Sequence, residues 1–254
     1  MDSKLFYLIT LCIFTFVTFT YVSGQRNKNC DQTLVEADKC LKKLLYVGDW
    51  NLTFIQNESD LAAHCRESKK DMVCIKRYQK CLTNFPREVF NLMSRNARQL
   101  NKERCEDNKG KAEFLRHIKC MDNTTINVNI CMDKVIILLD YIANNIKGDR
   151  EVVLGSTCCA VHLGLDCFTT KVAANCAKKT GADTAAYVTS KINQMVADVF
   201  DLACAKMPDV KSCDKSVPDL MKTYRSLIEP PTIIKRQNIS PLIPLMKVVK
   251  KIEI

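Results

Sequence analysis

Asp71-Met72-Val73-Cys74-Ile75-Lys76-Arg77-Tyr78-Gln79-Lys80-Cys81-Leu82 decides the fold. Met72, Cys74, Ile75, Tyr78, Cys81 and Leu82 recur at helical spacing, so a single helix carries two cysteines seven residues apart. At about 1.5 Å of rise per residue they stand roughly 10 Å apart along the axis. A disulfide needs Cα atoms within roughly 7 Å. The two cannot bridge each other while the helix is intact, and each must reach a neighbouring helix. Cys167 and Cys176, nine residues apart, obey the same exclusion if they share a helix. Cysteines in this chain are therefore ties between helices.

The flanking sequence supplies the partner helices. Leu34, Ala37, Leu41, Leu44 and Leu45 mark an apolar face stopped by Gly48, and Ser59-Asp60-Leu61 reads as the start of the helix that carries Cys74. Pro86 suits a first helical position ahead of Val89, Phe90, Leu92, Met93, Ala97 and Leu100. In the second half, Val135 to Leu139 with Ile142 and Ile146 form a dense stripe ended by Gly148. Tyr187, Val188, Ile192, Val196, Val199, Phe200 and Ala203 form another. Gly48, Gly110, Gly148 and Gly181 fall where the patterns stop, and strand-like alternation is nearly absent.

Cysteine spacing divides this helical chain in two. Cys30, Cys40, Cys65, Cys74, Cys81 and Cys105 align with Cys120, Cys131, Cys158, Cys167, Cys176 and Cys204 at offsets of 90, 91, 93, 93, 95 and 99 residues. Offsets that grow slowly and never reverse are those of a duplicated module with small loop insertions. Cys159 and Cys213 remain as a pair peculiar to the second half. The expected fold is all-α: two tandem disulfide-stapled helical modules, residues 25–112 and 113–215, then a short helix and a basic-apolar tail over 216–254. Six cysteines per module leave 15 pairings open. Pro230, Pro231, Pro241 and Pro244 predict an extended or disordered tail, with Lys235-Arg236 as a dibasic processing site.

The uncharged run Leu5 to Val22, followed by Ser23 and Gly24, reads as a secretory signal peptide over residues 1–24. Its removal takes Cys12 away and turns 15 cysteines into an even 14, the count of a disulfide framework in an oxidising compartment. No later segment reads as apolar enough to span a bilayer. Asn51, Asn57, Asn123 and Asn238 each begin a glycosylation sequon, the first two on one polar loop. No close cysteine pairs at zinc-ligand spacing occur, so no metal or cofactor site is assigned. The net charge of +10 is spread among acids on helical faces, and base-stacking aromatics are not interleaved with it. Neither a nucleic-acid partner nor stable membrane insertion is expected.

Cys158-Cys159-Ala160-Val161-His162 is the one motif with the look of chemistry. It is similar to the Cys-Cys-x-x-His-Asp signature of secreted phospholipases A2, whose histidine activates water and whose aspartate helps to hold calcium. Here Leu163 replaces the aspartate, Cys167 comes too late, and no glycine-rich calcium loop precedes the motif. His64 adjoins Cys65, and His117 lies in the basic stretch Arg116-His117-Ile118-Lys119, which reads as surface. No catalytic residue is assigned.

The signal peptide, the repeated cysteine spacing, Cys74-Ile75-x-x-Tyr78-x-x-Cys81, Cys167-Phe168 with Cys176 downstream, and the sequons together resemble the cysteine-rich 27-kDa haemolymph glycoproteins of arthropods. Related helical secreted domains occur in chelicerates and nematodes. The resemblance covers roughly Cys30 to Cys213 and implies a non-enzymatic protein of an extracellular fluid. The expected function is that of a secreted binding or structural glycoprotein with an extracellular partner. The alternatives are a carrier of a small apolar ligand and, third, a degenerate phospholipase-like hydrolase at His162.

Overall fold

A computed structural model describes residues 29–44, 48, 50–51, 54–82, 84–120, 125–176, 183–229, 238 and 240–253. The expected signal peptide, Asn123, Gly181, Pro230, Pro231 and Lys235-Arg236 lie outside the described residues. Helix α1 covers residues 29–44. It is followed by α2 (Glu58–Tyr78), which a short 3-10 turn (Gln79–Cys81) extends, and by α3 (Asn84–Glu106) and α4 (Asn108–Ile118). The second half holds α5 (Thr125–Asn145), α6 (Arg150–Cys176) and α7 (Asp183–Ala203). Two short helices, α8 (Val210–Ser216) and α9 (Pro218–Ile228), and a final α10 (Leu242–Glu253) complete the order. The described residues contain no strand.

All fourteen cysteines from Cys30 onward are bridged. In the first half Cys30 joins Cys81, Cys40 joins Cys74 and Cys65 joins Cys105. In the second, Cys120 joins Cys176, Cys131 joins Cys167 and Cys158 joins Cys204. Both sets of six are thus connected first to fifth, second to fourth and third to sixth. The nested first two bridges are those of an antiparallel helix pair, α1 with α2 and α5 with α6. The third bridge ties the start of the central helix forward to the end of the next one. Cys74 does not pair with Cys81, nor Cys167 with Cys176, as helix rise demands. Cys159 joins Cys213, tying α6 to α8.

The two halves are nonetheless one packed body. A buried cluster combines Phe54, Ile55 and Leu61 from around the start of α2 with Phe114 and Ile118 of α4, Val128 of α5 and Phe168 and Val172 of α6. The boundary expected at residue 112 falls inside α4. Gly110, expected to stop a helix, is the third residue of α4. A Cβ there would lie 2.3 Å from the Glu103 carbonyl oxygen, so glycine is needed where α4 turns back against the end of α3. Asp107 caps this turn by accepting from the Gly110 N–H at 2.7 Å.

The tail departs most from its expected form. α10 is a core helix, with Leu242, Met246, Val248, Val249 and Ile252 buried. Leu242, Met246 and Val249 pack with Ile75, Tyr78, Leu82 and Phe90 of the first half. Val248 and Ile252 pack with Ile142, Cys159, Met221 and Tyr224 of the second. Pro244 is only the third residue of the helix, where its missing N–H has no intrahelical partner to lose. Buried Asp38 of α1 accepts from the Ser240 hydroxyl and from the Ser240 N–H at 3.3 Å, placing a carboxylate at the positive end of α10. Lys251 donates to the carbonyls of Ile142 and Ile146 at 3.2 and 3.0 Å, satisfying the end of α5.

α6 also corrects an expectation, since it is long and apolar enough to cross a membrane by length and composition, with a mean hydropathy of 1.5. Its apolar residues go round the whole helix because it is the central element: α5, α7, α8, α9 and α10 all pack against it. Its four cysteines are tied to Cys131, Cys120, Cys204 and Cys213.

Candidate functional site

The two three-helix sets, α1 to α3 and α5 to α7, meet along α3 and α7, which pack on each other. Beside that contact lies a cavity of about 300 Å³. One wall comes from α5 and α6 and is wholly apolar: Met132, Val135, Val161, Leu165 and Phe168, with Gly164 between them. Gly164 sets the depth of this wall. A Cβ on it would stand 2.2 Å from Val135 Cγ2, so only glycine lets α5 and α6 approach this closely. Leu44 at the end of α1 and Phe54 ahead of α2 close the apolar side.

The facing wall comes from α3, α4 and α7 and mixes Leu100, Phe114, Val188 and Ile192 with Glu103, Arg104, Glu113, His117, Tyr187 and Lys191. Its polar groups are held in place. Lys191 Nζ lies 3.0 Å from Glu103 Oε2, while Gln99 and Gln194 donate to Oε1 at 3.1 and 2.9 Å. Burial works against ionisation of Glu103, but these three donors outweigh it and keep its carboxyl below the usual range. Arg104 donates to Asn101 Oδ1 at 3.0 Å and lies 3.2 Å from His64 Nε2. Burial, and then the guanidinium, pull His64 down to about 4, so it stays neutral and accepts.

His117 is a correction: it is buried at 2 % exposure rather than a surface residue. Its ring stacks on Tyr187 with centroids 4.2 Å apart. Arg116 donates to Nε2 at 3.0 Å, which leaves the proton on Nδ1, 2.9 Å from Thr184 Oγ1. Arg116 is paired in turn with Asp183. Burial, followed by Arg116, lowers the His117 pKa. Burial and the neighbouring Glu113 carboxylate push Tyr187 up to about 12, so it keeps its proton. The cavity wall therefore offers hydroxyl, carboxylate and ammonium groups in fixed places, with a neutral imidazole between them.

His162, singled out from the sequence, is placed on α6 away from these groups. Its Nε2 donates to the Met207 carbonyl at 2.8 Å, and its ring meets Phe200 edge-on at 6.0 Å. The neighbouring Cys158 and Cys159 are both in bridges. Asp209 accepts from the Ser212 N–H at 2.7 Å as the cap of α8, and its hydrogen bonds with Ser212 hold its carboxyl below the usual range. His162 thus ties α6 to the turn after α7.

Among the sequons, Asn51 and Asn57 are exposed. Asn57 caps α2 through Oδ1, which accepts from the Asp60 N–H at 3.0 Å, so the cap does not use Nδ2, the atom a glycan would take. The loop between them is not wholly polar, because Phe54 and Ile55 turn inward, only 3 % and 4 % exposed. Asn238 is half-buried, and its Nδ2 donates to both Asp140 oxygens at 2.8 and 2.7 Å. A glycan on that nitrogen would break this pair.

None of the cavity was assigned from the sequence. One signal was present: Lys191 and Gln194 interrupt the apolar stripe Tyr187, Val188, Ile192, Val196 of α7 on its inward side. Seven bridges and an all-helical body define a disulfide-stapled protein of the extracellular, secreted type. Comparison with family models, with curated proteins and with solved structures finds no match, so the functional reading rests on the geometry just described.

Proposed function

We propose that this is a secreted, non-enzymatic glycoprotein that carries a small apolar molecule in the cavity between its two helical modules. The observation that carries the reading is the cavity itself: about 300 Å³, at the low end of the usual size of ligand sites, with a carbon-lined wall facing a few fixed polar groups. A rigid frame supports it, since a preformed site spends little binding energy on ordering. The identical connectivity of the two cysteine sets fits a duplicated module and the resemblance to arthropod haemolymph glycoproteins. The signal peptide and the outward sequons Asn51 and Asn57 fit release into an extracellular fluid.

The test is displacement of an uncharged polarity-sensitive dye, 1-aminoanthracene, from the glycosylated, fully oxidised protein. Saturable dye binding, displaced by small apolar molecules and lost in Val188→Trp with all seven bridges intact, is the expected result. Dye binding that Val188→Trp leaves unchanged, or no saturable binding, would return the protein to the broader class of extracellular binding or structural glycoproteins.

A further inference from the structure

The two walls of the cavity differ in a way that narrows the ligand class. The α5–α6 wall offers only apolar side chains. The α3–α4–α7 wall brings four formal charges among the described residues, Arg104 and Lys191 against Glu103 and Glu113. Both oxygens of Glu103 already accept from Lys191, Gln99 and Gln194. Charges balanced in this way, at the edge of an apolar cavity, penalise an ion of either sign. An incoming carboxylate near Arg104 or Lys191 also meets Glu103 and Glu113, and an incoming ammonium meets the reverse. Either ion gives up its hydration without gaining net attraction. A hydroxyl or carbonyl gives up far less and finds donors and acceptors on the same wall.

Size bounds the rest. An apolar cavity of about 150 Å³ accepts one benzene ring. On that scale, about 300 Å³ takes a body of roughly ten to fifteen non-hydrogen atoms. Resting on the carrier reading, we infer that the ligand is an uncharged amphiphile of this size: an alcohol, ketone or ester whose head lies against the Glu103–Lys191 wall and whose hydrocarbon body lies along α5 and α6.

The experiment ranks three probes with the same ten-carbon chain, 1-decanol, decanoate and decylamine, by displacement of 1-aminoanthracene near neutral pH. The oxidised protein and two variants are compared, each checked by circular dichroism and a non-reducing peptide map. The unmodified protein is expected to prefer decanol by roughly tenfold over either ion. Glu103→Gln, which leaves the wall net positive, should raise decanoate relative to decanol by roughly fivefold or more, and Lys191→Gln should do the same for decylamine. Decanoate or decylamine equalling decanol on the unmodified protein overturns the inference and leaves the carrier reading standing. So does an unchanged ranking in both folded variants. If the dye itself does not bind, the carrier reading fails and this inference with it.

Discussion

Val248→Ala asks whether the last helix belongs to the core. Val248 is fully buried, among Ile142, Cys159, Met221 and Tyr224. The substitution deletes two methyl groups, worth about 0.8 kcal/mol each in transfer, and leaves a small void. The transfer loss and the cavity together come to about 2–3 kcal/mol. For a chain of this size, that lowers the melting temperature by about 4–12 °C. Lys247→Ala, one residue away and exposed, is the control and should stay within about 0.5 kcal/mol of the parent. Urea titration of the oxidised proteins measures both, and a shift in midpoint at constant slope identifies lost stability. If Val248→Ala behaves like Lys247→Ala, α10 is not packed as described. Release of residues 242–253 by carboxypeptidase with no change in melting temperature would refute the reasoning equally well.

Three further perturbations have definite outcomes. Gly164→Ala should cost about 1–3 kcal/mol, because its Cβ would stand 2.2 Å from Val135 Cγ2. Val135→Ala should restore much of that loss in the double variant, a coupling read by a double-mutant cycle. The paired change Cys159→Ala with Cys213→Ala opens a bridge of sequence separation 54, worth about 4 kcal/mol on loop entropy. The loss should appear in thermal unfolding, while a peptide map still finds the other six bridges. His64 makes stability pH-dependent. Its folded pKa is about 4 against an ordinary 6.5, so between those values the unfolded chain takes a proton that the folded chain refuses. Stability is therefore whole above about pH 6.5, falls as the pH drops, and has lost its full His64 share below about 4. Discounted for partial solvent exposure, that share is about 2 kcal/mol. His64→Gln should flatten the denaturation profile by this amount over that range, and an unchanged slope would contradict the assigned environment.

The bridges show how far residue spacing reaches. Helix rise alone forbade Cys74–Cys81 and Cys167–Cys176, and the drift of the offsets isolated Cys159 and Cys213 as a pair, which they are. Which helix each cysteine reaches was not legible, since it depends on antiparallel pairing in space. Pro86 and Pro244 teach the same limit. Each is the third residue of its helix, yet one read as a helix start and the other as a breaker. The difference was context: a long apolar stripe follows Pro86, whereas Leu245, Met246, Val248, Val249 and Ile252 are few and mixed with lysines. His117 looked exposed because its neighbours Arg116 and Lys119 are charged, but its ring is buried against Tyr187 of α7, and Arg116 reaches it from the exposed side. The cavity was beyond reach for a related reason. Its walls come from α1 and α3 to α7 and from Phe54, and no local pattern records a space between elements.

The placement of the cavity follows from where the sulfur is absent. Three bridges fix α1, α2 and α3 to one another, and the other four fix α5, α6, α7 and α8. No bridge joins residues 30–105 to residues 120–213. The two stapled groups are held together by packing, by α10 wedged between their cores, and by polar pairs across α3 and α7. Those pairs include Lys191 and Gln194 with Glu103, and Arg95 and Asn96 with Asp198, the last at 3.1 Å. Exposed pairs such as Asn96–Asp198 contribute only about 0–1 kcal/mol each, and the half-buried Lys191–Glu103 pair must offset its own desolvation. The junction between the two groups thus carries no covalent tie, and the cavity lies beside it, where α3 packs on α7. On the carrier reading, parting this junction would admit a ligand without straining a disulfide, and the stapled groups on either side would keep the site preformed.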